Sequence, residues 1–206
     1  MGTKSLARMN WMMLSLLLVS GCIPRFTPVQ VDDIPITLRQ PNEQLLSMKT
    51  IVENADTQVQ KYVPGAYASD LTFLGSCDSL SNLDGTLNII FVKTEQKRSY
   101  SQIIVGTVSI DTTMQTMEMH FEDHTEHYPS TNSPSVLSED LLDLHEVAGI
   151  AQRHIESLDL ISCDVTINHI GDHWLVVCTE TGSGPLGFRI CKFEIDSTTL
   201  EIQEPE

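Results

Sequence analysis

The chain has 206 residues, 41% of them hydrophobic, with 28 acidic against 12 basic side chains and a net charge of −16. A polypeptide this acidic is repelled by phosphate backbones and by anionic lipid surfaces, which argues against a nucleic-acid partner and against lying flat on a bilayer. The length suffices for one or two small cores.

The chain opens on a leader pattern. Lys4 and Arg8 form a short basic region, and Trp11 to Val19 is an apolar run. A helix needs ~20 residues to cross the ~30 Å hydrocarbon core, so the run is too short to span and fits the apolar region of a secretory signal. Ser20 and Gly21 are small, and Cys22 follows them. Val19-Ser20-Gly21-Cys22 resembles the lipobox of bacterial lipoproteins, in which the cysteine sulfur receives a diacylglyceryl group and the signal peptidase cuts just before it. The resemblance implies a signal peptide at 1–21, lipidation of Cys22, and a domain outside the cytoplasm, held to a bacterial envelope membrane by acyl chains. Each buried methylene adds ~0.8 kcal/mol to such an anchor. Ile23, in place of Asp, resembles the default for outer-membrane sorting in a two-membrane envelope. Loss of Lys4 and Arg8 with the leader takes the net charge to −18.

Residues 22–41 carry Pro24, Pro28, Pro35 and Pro41 without a helical period. They read as a lipidated tether with a short edge strand at Val29–Val31. From Asn42 to Val63 apolar residues recur at Leu45, Leu46, Met48, Ile51, Val52, Ala55, Val59, Tyr62 and Val63, a helical period stopped by Pro64-Gly65. Four runs rich in Ile, Val, Thr and Phe follow at 71–74, 86–94, 101–111 and 115–121, and read as strands. His120 to Ser138 is polar, acidic and Pro-containing, a linker with bounds set at 122–137.

The pattern then restarts. Ser138, Glu139 and Asp140 resemble a helix N-terminus, and Leu141, Leu144, Val147, Ala148, Ala151 and Ile155 mark its apolar face. Strands are expected at 162–170, 173–180, 187–196 and 199–202. Ile110-Asp111-Thr112-Thr113 and Ile195-Asp196-Ser197-Thr198 end the third strand of each half, 85 residues apart. The order helix then four strands, met twice, points to a duplication.

This order, with a Trp-bearing strand and a closing Ile-Asp-Ser-Thr-Thr-Leu-Glu-Ile, resembles the PepSY-like and beta-lactamase-inhibitor-protein-like group over about Asn42 to Ile202. The resemblance implies an α+β fold: two tandem helix plus four-stranded antiparallel sheet modules, at 42–121 and 138–206, behind the lipid-anchored tether. It also implies binding or inhibition of a protein or peptide in place of catalysis. Fold analogy alone does not assign function.

The register of the last hairpin follows from its cysteines. If Cys178 faces Cys191, Val176 faces Phe193 and Trp174 faces Ile195, all on one side of the sheet. Val165, Ile167 and Cys163 join that side, and the helix is expected to cover it. The other side then shows His173, Leu175, Val177 and Thr179 beside Ile190, Lys192, Glu194 and Asp196. Its apolar members, Leu175, Val177 and Ile190, need a cover, and packing of one half against the other is the simplest. Cys77, Cys163, Cys178 and Cys191 allow two disulfides in three connectivities. Cys178–Cys191 is the favoured pair, Cys77–Cys163 fits beside it, and Cys163–Cys178 competes.

His120, His124 and His127, interleaved with Glu122, Asp123 and Glu126, are the candidate metal ligands, since imidazole and carboxylate suit zinc. A solvated acidic linker is the simpler reading of the same run. No Gly-x-Ser-x-Gly, no His-Glu-x-x-His and no phosphate-cradling Gly loop is present, so no catalytic residue and no cofactor is assigned. The sequence reads best as a non-enzymatic envelope lipoprotein with a protein or peptide partner. A metal- or small-ligand-binding lipoprotein and a structural envelope component are the alternatives.

Overall fold

The computed structural model describes residues 26–39, 46–96, 101–124, 137, 144–160, 162–181 and 188–203. In chain order the elements are β1 (Val29–Pro35), α1 (Met48–Tyr62), β2 (Tyr67–Ser76), a 3-10 helix (Cys77–Asn82), β3 (Gly85–Gln96), β4 (Ser101–Asp111), β5 (Thr116–Asp123), α2 (Leu144–Ser157), β6 (Asp164–Ile170), β7 (His173–Thr181), β8 (Phe188–Asp196) and β9 (Ile202–Gln203). The strands form one nine-stranded sheet in the order β1-β5-β4-β3-β2-β6-β7-β8-β9, antiparallel at every pairing.

That order overturns the expected α+β fold of two tandem helix-plus-sheet modules. The strand after α1 pairs directly with the strand after α2: Thr72 faces Asn168, Phe73 faces Ile167 and Gly75 faces Val165. The fold is therefore a single sheet-dominated body with helices as its cover. The physical reason is the edge strand. A four-stranded sheet standing alone leaves β2 with a row of unpaired N–H and C=O groups. Pairing β2 with β6 satisfies both rows at once, and Cys77 N extends the seam by donating to Cys163 O at 2.9 Å.

Facing residues lie on the same side of a sheet, so the core can be followed from strand to strand. Met117, Ile110, Leu87, Phe73, Ile167, Val176 and Phe193 form an unbroken row across seven strands. Every member is buried. Phe73 needs small neighbours: a Cβ at Gly75 or Gly85, which face each other, would meet its ring. Gly106 makes the same room for Phe121.

Both helices lie on this apolar side. α1 buries Met48, Ile51, Ala55 and Val59. α2 buries Leu144, Val147, Ala148, Ala151 and Ile155, and all of these join the sheet residues in one core. His154 of α2 sets its ring edge-on against Phe193, with centroids 4.5 Å apart. α1 starts later than the apolar pattern predicts. Leu46 N donates to Leu38 O at 2.7 Å, and Ser47 caps the helix by accepting from Thr50 N at 3.3 Å. Hydroxyl capping at Ser47 outweighs the apolar spacing of Leu45 and Leu46. Gln60 fastens the other end, donating to Ala66 O and accepting from Gly65 N, each at 2.7 Å.

The repeated Ile-Asp sequences fold alike. Asp111 Oδ1 accepts from Thr113 N at 2.9 Å and Met114 N at 2.7 Å; Asp196 Oδ1 accepts from Thr198 N and Thr199 N, each at 2.7 Å. Gln115 and Leu200 close the two turns with φ of 53° and 60°. Ile110 faces Met117 and Ile195 faces Ile202.

Candidate functional site

One residue along each strand from the apolar row runs a different row: Glu118, Ser109, Asn88, Thr72, Asn168, Leu175 and Glu194. It lies on the side of the sheet away from both helices. Among the described residues no helix or strand packs over this open face. Exposure of its large apolar side chains is high for a sheet interior: 41% for Leu74, 45% for Ile170 and 61% for Ile190. Leu175 and Val177 are half-buried between their neighbours. The expected cover for Leu175, Val177 and Ile190, packing of one half on the other, is absent, because the halves meet edge to edge through β2 and β6.

The polar row is hydrogen-bonded within itself. Ser109 Oγ donates to Asn88 Oδ1 and Thr72 Oγ1 donates to Asn168 Oδ1, each at 2.7 Å. The two carboxamide oxygens accept these bonds, and the two NH2 groups add donors to the same face. A groove of about 180 Å³ lies on the same face near β1, lined by Gln30, Asp32, Thr107, Ser109, Glu118, Met119 and His120. The alternation of Thr72 with Phe73 and Asn88 with Ile89 was the available signal for this row, but local sequence does not reveal that the two strands belong to one sheet.

His120 belongs to β5, within the strand expected at 115–121, and β5 runs on through Glu122 and Asp123, the first residues of the linker expected at 122–137. It pairs with Glu122 at 2.7 Å, and His124 stands 3.9 Å from the other oxygen of the same carboxylate. The His120 hydrogen bond and the charge beside it hold the Glu122 carboxyl below its ordinary value. The third histidine, His127, lies outside the described residues. Among the described residues no group of three or more His, Cys, Asp or Glu side chains stands where it could hold a metal ion.

Two disulfides are present, Cys77–Cys163 and Cys178–Cys191, with Cα separations of 5.3 and 5.0 Å. The competing Cys163–Cys178 pairing is not formed. Cys178 faces Cys191, Val176 faces Phe193 and Trp174 faces Ile195, the register predicted from the cysteines. Both bridges lie on the helix side, away from the open face. Beside Cys77 a cleft of about 400 Å³ runs between the 3-10 helix and α2, lined by Asp78, Leu80, Gln152, Ile155, Glu156, Asp159 and Leu160.

Cys22, the candidate lipidation site, lies outside the described residues with its whole leader. No helix among the described residues is long and apolar enough to cross a membrane. No protein-family model and no curated protein matches the chain. Among solved structures, the chain has a slight likeness to full-length peroxisomal multifunctional enzyme type 2 from Drosophila melanogaster, at 10% identity and a TM-score of 0.24. The match covers 98% of this chain and 51% of that one, so the chain spans about half its length. A likeness that slight transfers neither fold nor activity.

Proposed function

We propose that the protein is a lipid-anchored, non-enzymatic envelope lipoprotein that binds a protein or peptide through the open face of its sheet. The observation that carries this reading is that, among the described residues, no helix or strand covers this face. Leu74, Ile170 and Ile190 stand exposed on it, while the helices take the opposite side. Apolar side chains gathered on a face without internal cover mark an interaction surface. Across nine strands spaced about 4.8 Å apart the face measures about 38 Å by 24 Å, on the order of the ~800 Å² per partner that a standard interface buries. The Val19–Cys22 lipobox supports the anchor; the tether expected at 22–41 does not extend past Phe26, since Phe26 packs against the core, β1 (Val29–Pro35) pairs with β5, and Ile36 and Leu38 are buried.

The test has two arms on the full chain expressed in a bacterial host. Metabolic palmitate should label the wild type and not Cys22→Ala; equal labelling would end the anchor. Partners that co-purify with the detergent-solubilised protein should be lost from a Leu74→Asp, Val177→Asp variant that keeps its thermal midpoint. Undiminished co-purification would remove the open face from the function.

A further inference from the structure

We infer that the partner segment seated on the open face is a basic polypeptide. This rests on the binding reading above and deepens it by naming the partner's chemistry.

The inference starts from how charge is divided between the two sides of the molecule. The helices are nearly balanced. α1 carries Lys49 and Lys61 against Glu53 and Asp56, and α2 carries Arg153 against Glu146 and Glu156. The open face is not balanced. By register, Asp70, Glu118, Glu122, Asp164 and Glu194 point to it, and Lys192 is the one Lys or Arg among its described strand residues. All of these acids except Glu194 are exposed. Among the described residues the ion-pair partners of these acids are histidines: His120 at 2.7 Å and His124 at 3.9 Å for Glu122, and His173 at 3.8 Å for Glu194. Asp111 and Asp196 lie on this side too, but their carboxylates are engaged in holding their turns.

Like charges gathered on one side repel each other and are offset by a partner of opposite sign. A second copy of this chain would bring the same acidic face and be repelled. The NH2 groups of Asn88 and Asn168 are donors on this face, for which backbone carbonyls are suitable acceptors. The exposed Leu74, Ile170 and Ile190 give apolar contact between the charges. Cationic side chains, carbonyl oxygens and apolar side chains occur together on a basic polypeptide segment. The acids would set the association rate and its salt dependence, and the apolar residues the dwell time.

The experiment uses full-length lipidated protein in neutral detergent and fluorescein-labelled peptides of alternating Lys and Thr, Gln and Thr, or Glu and Thr. Anisotropy should show binding of the Lys-Thr peptide, weakened by added salt, and neither of the others. An open-face variant, Asp70→Asn with Asp164→Asn and Glu194→Gln, should bind about tenfold more weakly. A helix-side variant, Glu53→Gln with Glu146→Gln and Glu156→Gln, removes the same net charge and should bind as the wild type does. Circular dichroism and thermal midpoints establish that both variants fold. Absence of Lys-Thr binding, equal binding of the Gln-Thr peptide, or equal weakening by the helix-side variant would overturn the inference. A native partner released by Leu74→Asp, Val177→Asp but unaffected by the three open-face neutralisations would overturn it too, leaving the binding reading in place. A partner unaffected by either set would sink the reading itself.

Discussion

Phe73 of β2 faces Ile167 of β6 across the middle of the sheet, and both side chains are fully buried. The pair lies 94 residues apart in sequence and joins what would otherwise be two separate cores. Truncating either member should therefore destabilise both halves together. Phe73→Ala should cost about 3–5 kcal/mol and Ile167→Ala about 2–5 kcal/mol. Unfolding followed by Trp174 fluorescence and by backbone circular dichroism should stay a single coincident transition. Two separated transitions would mean that the halves fold as independent modules.

Gly106 and Phe121 give a sharper packing test. A Cβ at position 106 would run into the Phe121 ring. Gly106→Ala should cost about 1–3 kcal/mol through overpacking. Phe121→Leu alone should also destabilise, but the double variant should lose less than the two single losses combined, because the smaller side chain clears the space. Simple additivity in denaturant melts would show that the ring does not lie over the glycine.

His169 supplies the pH dependence. Burial holds its imidazole below the ordinary value of 6.5, opposed by the charge of Asp70 and aided by that of His173. Its ring packs edge-on against Trp174 at 4.9 Å. In the window between the folded and unfolded values, the unfolded chain takes up a proton that the folded chain does not. The stability that depends on a neutral His169 is thus complete above pH 6.5 and declines as pH falls below it. Denaturation midpoints measured through that window should fall for the wild type and flatten for His169→Gln. An identical slope in both proteins would assign the dependence to another group.

The two disulfides should differ in weight. Cys77–Cys163 closes a sequence separation of 86 and Cys178–Cys191 one of 13. Loop entropy alone assigns them about 4.6 and about 2.9 kcal/mol. Replacing Cys77 and Cys163 by Ala should lower stability more than replacing Cys178 and Cys191. A larger loss from the short loop would show that its local packing, not chain entropy, dominates.

What could be read from the sequence was local. Cys178, Cys191 and Trp174 sit at even spacing on two strands joined by one loop, so period-two alternation sufficed to align the hairpin. Asp111 and Asp196 advertised their turns, since a side-chain oxygen two residues before a free N–H is a sequence-level signal. The seam was not legible. Thr72, Leu74 and Thr166 look the same whether they sit at a solvated edge or in the middle of a sheet. Pairing between β2 and β6 spans some ninety residues with no local mark. The open face stayed hidden for the same reason, because it exists only once the two halves share a sheet. Glu122 and Asp123 read as the start of a linker because β5 continues to Asp123 with Glu118, His120 and Glu122 turned to solvent, and an outward-facing polar alternation resembles a loop in composition.

The most direct test of binding through the open face is site-specific photo-crosslinking in living cells. A photoreactive residue is placed in turn at Leu74, Val177 and Ile190 on the open face, and at Glu53 and Glu146 on the helices. The same protein adduct from all three sheet positions, with none from the two helix positions, is the expected result. Adducts from the helix positions alone, or no adduct from any sheet position, would contradict it.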